Sequence, residues 1–159
     1  SEELGTGKYV GEIAKETINP VLLPVLIFLI SALLSFAIGS SWGTIIIIMP
    51  LAIPSAISTG NEFAIIIGAV LSGSLFGDHS SPLSETTILS STGAGIDPLS
   101  HFSTQLPYAL TNGAIAAIGF VLAGFITSHL IVVSLIIFQL LILLILRHIK
   151  ISSNSNIFT

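Results

Sequence analysis

Two acidic residues, Asp78 and Glu85, lie between apolar runs, and hydroxyls crowd around them: Ser72, Ser74, Ser80, Ser81, Ser84, Thr86, Thr87, Ser90, Ser91 and Thr92. An ionisable side chain placed at membrane depth costs about 2.5–3.5 kcal/mol or more, so an acid kept there by default faces a cavity and serves a purpose. Pro82 stands between the two acids. It has no amide hydrogen and disfavours helix in the residue before it, which predicts that a helix arriving from residue 63 unwinds near 78–82. Unwound backbone is tolerated inside a bilayer only where it is buried in protein or lines a wet cavity. Carbonyls, hydroxyls and carboxylates converging on such a break are what a small hard cation needs in place of its water shell. Asp78 and Glu85 are thus the candidate charged ligands for a metal cation, with Ser80, Ser81, Ser84, Thr86 and Thr87 adding oxygens. The same carboxylates can bind protons. His79 adjoins them either as a proton relay or as a structural hydrogen-bonding group. The bland alternative places one or both acids at a membrane interface, where the short 63–77 segment ends.

A second cluster occupies 39–44, reading GSSWGT. Gly39 and Gly43 let backbones approach closely, and Ser40, Ser41 and Thr44 offer oxygens where one apolar run gives way to the next. Composition alone reads it equally as an interfacial turn with Trp42 in the aromatic belt.

The elements that must position these residues are membrane helices. The chain has 159 residues, of which 52% are hydrophobic and 8% charged, and a mean hydropathy of +1.02; an ordinary soluble domain is about 25% charged. Six of the twelve charged residues fall in positions 1–16, and 17–146 holds only Glu62, Asp78, Glu85 and Asp97. Such a stretch cannot cover itself with a solvated surface. With no Cys there is neither disulfide nor thiolate site, and four basic residues leave no footprint for nucleic acid.

Residues 1–17 read as a polar loop or interfacial segment of something longer, since the chain lacks a starting Met and a signal-peptide pattern. Residues 18–147 form the transmembrane domain, read as a fragment of a larger protein, and 148–159 a polar tail. Apolar stretches are expected at 21–38, 45–58, 63–77, 105–127 and 130–146, with a short segment at 83–92 and a loop over 93–103. Pro50 and Pro54 either kink or end their helix. Arg147 and Lys150 put the carboxyl terminus on the cytoplasmic side. Ala109, Gly113 and Ala117 recur every fourth position, a small-residue face suited to helix packing. No nucleophile elbow or zincin pair occurs, and His101, His129 and His148 carry no assigned role.

The run GDHSSPLSETTILSSTGA at 77–94, followed by His101 and by TQLPYA at 104–109, closely resembles the NhaC family of sodium/proton antiporters, as does SWGT at 41–44. The resemblance covers about 22–110, the carboxyl-terminal part of longer family members. It implies a fold of inverted repeats, each with a re-entrant hairpin and a broken helix, so that 21–58 becomes a hairpin with its tip at 39–44 and both breaks meet near the midplane. Composition allows two full spans there as well. Where members often carry Cys and Asp, this chain has Ser80 and Glu85.

The fold expected is therefore all-α and integral to the membrane: a transporter half with a hairpin or two spans, a broken helix and two further transmembrane helices. The function expected is exchange of sodium for protons by a secondary transporter in a bacterial inner membrane, the two ions competing for one carboxylate site. Its partners are membrane lipid, sodium, the proton and the amino-terminal part of the same transporter, with no cofactor and no catalysis. The rivals are a sodium-coupled exchanger of an organic anion such as malate or lactate, against which the absence of Lys and Arg from 17–146 argues, and a non-transporting membrane subunit or intramembrane hydrolase.

Overall fold

The computed structural model describes residues 6–126 and, further on, residues 130, 133, 134, 136–142 and 144. It divides into two units at residue 127. In the second unit residues 136–142 are helical, within the expected 130–146 span. The 127–129 turn, Arg147, Lys150 and the tail lie outside the described residues.

The first unit is helical throughout its regular structure: α1 (Thr6–Thr17), a 3-10 turn (Pro20–Leu22), α2 (Leu23–Ile38), α3 (Ser41–Thr59), α4 (Phe63–His79), α5 (Glu85–Ala94) and α6 (Pro98–Phe125). Among the described residues three helical stretches are long and apolar enough to cross a membrane: Pro20–Ile38, Ser41–Thr59 and Pro98–Phe125. The segment expected to be a loop over 93–103 is shorter than its composition suggests. Asp97 accepts the Ser100 amide and Pro98 occupies the first turn, so α6 begins there and not at Gln105. Pro50 and Pro54 lie inside α3, which runs on to Thr59 and so is not ended by either. Each leaves the carbonyl four residues earlier without its helical donor, and one of these, Pro50 O, faces Gly7 of α1.

The tightest packing joins α2 to α4, which run parallel. Gly73 and Gly77 stand one turn apart on α4, and a methyl added to either would meet the backbone carbonyl of Phe28 or Ala32 respectively. Apolar burial drives little helix association in lipid, so the gain here comes from backbones brought close enough for dispersion and polar contacts. One such contact is the Ser35 hydroxyl, which donates to the Ser74 carbonyl at 2.6 Å. Phe28 links three helices, its ring centroid 6.0 Å from Phe76 of α4 and 5.3 Å from Phe120 of α6. Around it Leu23 and Ile27, Ile48, Ala52 and Ala56 of α3, and Ile66, Ala69 and Val70 of α4 complete the core. Of the small-residue face on α6, Gly113 is buried against the Phe76 ring, and Ala109 and Ala117 are half-buried.

Candidate functional site

Helix α4 stops at His79 and α5 starts at Glu85, so the helix is interrupted where Pro82 predicted. Across the gap the Ser81 amide turns back to the Asp78 carbonyl at 3.0 Å. The Ser81 carbonyl accepts the Ser84 amide at 3.4 Å and the Thr87 hydroxyl at 3.1 Å. The Leu83 amide donates to the Ser81 hydroxyl at 3.2 Å, and the His79 carbonyl takes its hydrogen from the side-chain amide of Gln105, 3.1 Å away on α6. The break is thus stitched by hydroxyls and one distant amide in place of helical bonds.

Asp78, in the last turn of α4, is only 2% exposed. Both of its carboxylate oxygens are met from α5: Ser84 Oγ donates to Oδ1 at 2.8 Å and Thr86 Oγ1 to Oδ2 at 3.0 Å. The two hydroxyls are themselves 2.6 Å apart. Ser84 also caps α5, its Oγ accepting the Thr86 amide, which locates the carboxylate beside the positive end of that helix dipole. Two carboxylate oxygens and two hydroxyl oxygens from two short segments therefore converge, a set of oxygens that a hard monovalent cation can use and whose carboxylate can take a proton.

The other candidates are placed as follows. Ser80, Ser81 and Thr87 are buried at the break, Ser80 with no partner for its hydroxyl among the described residues. Glu85 is exposed in the first turn of α5 and, among the described residues, stays outside the hydrogen bonds of Asp78. His79 is exposed, its Nδ1 donating to the Leu75 carbonyl at 2.8 Å within its own helix. The hydroxyls of Ser40 and Thr44 shape the α2–α3 turn: Ser40 caps α3 through the Gly43 amide, and buried Thr44 donates to the Ser40 carbonyl at 3.0 Å. Ser41 is half-buried and Trp42 exposed.

The two breaks nevertheless touch. Gly39 has φ +74°, a left-handed conformation that favours glycine, and a methyl built on it would sit 2.8 Å from the Leu83 carbonyl and 3.2 Å from the Ser84 amide. The α2–α3 turn thus rests against the residue that holds Asp78. Among the described residues no three His, Asp, Glu or Cys gather as a metal cluster; the site is one carboxylate with hydroxyls. Two positioning features have no counterpart in the sequence reading. The spacing of Gly73 and Gly77 was a visible signal of close packing; Gln105 stood at the expected edge of a span, where a polar residue looks unremarkable.

A family model described as the Na+/H+ antiporter family matches residues 1–125. Among curated relatives, a Malate-2H(+)/Na(+)-lactate antiporter of Bacillus subtilis is 34% identical over 69% of this chain and 23% of its own length. An arginine/ornithine antiporter of Halobacterium salinarum is 30% identical over 77% of this chain and 25% of its own. The Na(+)/H(+) antiporter NhaC of Alkalihalophilus pseudofirmus is 33% identical over 67% of this chain and 23% of its own. The chain thus spans about a quarter of the length of these relatives. No solved structure matches.

Proposed function

The chain belongs to the Na+/H+ antiporter family, and on that premise we propose that it is the ion-binding part of a secondary transporter that exchanges sodium for protons across a bacterial inner membrane. The observation that carries this reading is the burial of Asp78 at a helix break, with a hydroxyl on each carboxylate oxygen. Sodium binds well to that oxygen set only while the carboxylate is ionised, so a proton on Asp78 and a sodium beside it exclude one another. Alternating exposure of the site turns that exclusion into exchange. Ser80, Ser81 and Thr87 supply further oxygens at the break, and the α2–α3 pair serves as the hairpin whose tip closes on it. Glu85, exposed at the head of α5, lies on the approach and not in the central oxygen set. The amino-terminal part of the transporter supplies the remainder of the fold.

The second reading, sodium-coupled exchange of an organic anion, is favoured by the Bacillus subtilis relative named for malate and lactate. Residues 17–146 hold no Lys or Arg to meet such an anion, which argues against an anion site within this stretch. The deciding experiment is sodium-driven proton movement by the full-length transporter in sealed vesicles. Asp78→Asn, which keeps the size and removes the charge, is expected to abolish exchange while insertion is retained, and Glu85→Gln to weaken it. Normal exchange by Asp78→Asn refutes the assignment. A requirement for malate or lactate on either side selects the second reading.

A further inference from the structure

We infer that Gln105 of α6 is a positioning residue, which holds the unwound segment in the shape that lets Asp78, Ser84 and Thr86 converge. The inference rests on the reading of Asp78 given above and extends it, since that reading assigns α6 no part.

In an unbroken helix the His79 carbonyl would accept the amide of residue 83, four positions on. Pro82 prevents the helix from continuing, and the Leu83 amide goes instead to the Ser81 hydroxyl at 3.2 Å. The His79 carbonyl is thereby stripped of its helical donor at an exposed position one residue beyond the buried carboxylate. Gln105 supplies the missing hydrogen from 26 residues away, at 3.1 Å. Because the partner is a carbonyl, the amide must present its nitrogen, which fixes the orientation of the side chain.

The consequence for the site is geometric. Asp78 belongs to α4, whereas the two hydroxyls that meet it belong to the cap and first turn of α5. Their separation is governed by residues 80–83, and that segment is gripped from outside at two points. Gly39 abuts Leu83 and Ser84 at one end; Gln105 holds His79 at the other. Loss of the second grip frees the α4 end of the break while leaving the chemistry of every ion ligand intact. Pro107 follows two residues later inside α6 and deprives the Ser103 carbonyl of its helical donor, so the arm bearing Gln105 is joined to the rest of α6 by a turn one bond short. Bending of α6 there would reach the ion site in part through the Gln105 side chain.

The test uses the full-length transporter in sealed vesicles, with sodium chloride as the varied substrate and the thermal midpoint of the purified protein as a second readout. Gln105→Leu and Gln105→Glu both remove the donor and should raise the KM for sodium by about three- to tenfold, the worth of one neutral hydrogen bond, with the maximal rate within about twofold. Gln105→Asn, an amide one methylene short, should fall between them and wild type, and it carries the test should the other two fail to insert. Thr104→Val is the control, because its hydroxyl bonds only to Ser100 and His101 of its own helix. An unchanged KM in the Gln105 variants overturns the inference, as does a lowered thermal midpoint and rate at constant KM, the mark of a purely structural role. Active Asp78→Asn with a shifted Gln105→Leu instead refutes the site assignment, so the two failures are separable.

Discussion

Substituting Ala for Gly39 and for Gly60 makes a controlled pair. Both glycines end helices in the left-handed region, at φ +74° and +73°, so each methyl brings a backbone cost of about 1–2 kcal/mol. At Gly60 nothing lies within 4 Å of the added methyl, whereas at Gly39 it would stand 2.8 Å from the Leu83 carbonyl and 3.0 Å from its carbon, both backbone atoms. Neither can swing away as a side chain does, and overpacking of this kind typically costs a further 1–3 kcal/mol or so. The expected loss is therefore about 1–2 kcal/mol for Gly60→Ala and about 2–5 kcal/mol for Gly39→Ala. The difference isolates the contact between the two breaks. Equilibrium unfolding of the purified full-length protein in detergent reads the stabilities, and sodium–proton exchange in vesicles reads the function. Exchange should fall in Gly39→Ala, because the strain pushes directly on Ser84, which meets Asp78 Oδ1, and should persist in Gly60→Ala. Equal destabilisation by the two substitutions, or normal exchange by Gly39→Ala, would show that the α2–α3 turn does not bear on the ion site.

Two further outcomes follow from the same geometry. Ser84→Ala and Thr86→Val each remove a hydroxyl from the carboxylate; a hydrogen bond to a charged group is worth about 1.5–3 kcal/mol, so each should weaken apparent sodium affinity by at least about tenfold, measured as KM at constant pH, while Thr86→Ser restores it. Gly77→Ala forces the Ala32 carbonyl aside and should cost about 1–3 kcal/mol, whereas Gly68→Ala, with nothing within 4 Å, should be neutral or mildly stabilising by denaturation in detergent.

The break was legible in the sequence because two strong local rules coincide there: a proline cannot continue the helix and an isolated acid needs a built environment. Which hydroxyls reach the acid was not. Eight hydroxyl residues lie within 80–92, and the selection of Ser84 and Thr86 depends on the direction in which α5 leaves the gap. That direction also turns Glu85 outward, since neighbours on a first helical turn point about 100° apart. The start of α6 was encoded and overlooked: Asp97 followed by Pro98 is a cap-and-first-turn pair as much as a loop. The close approach of α2 and α4 rests on Gly73 and Gly77 meeting backbone carbonyls of a helix some 45 residues earlier, a pairing of faces that periodicity along one segment cannot specify.

The direct backbone contact along α2 and α4 bears on traffic to the site. With the carbonyls of Phe28 and Ala32 seated on Gly73 and Gly77, the seam beside these glycines is filled by backbone and by the short side chains of Ser31 and Ser35, the latter hydrogen-bonded to the Ser74 carbonyl. A cation path between the two helices would have to part that seam. The flank bounded by α5 and the arm of α6 carries the interrupted backbone, the exposed Glu85 and the exposed His79, and it is the side from which the hydroxyl pair can be parted without prising apart a glycine seam. Of the helices described, α2 and α4 make a strut, and an entrance on the α5 side would leave that strut undisturbed.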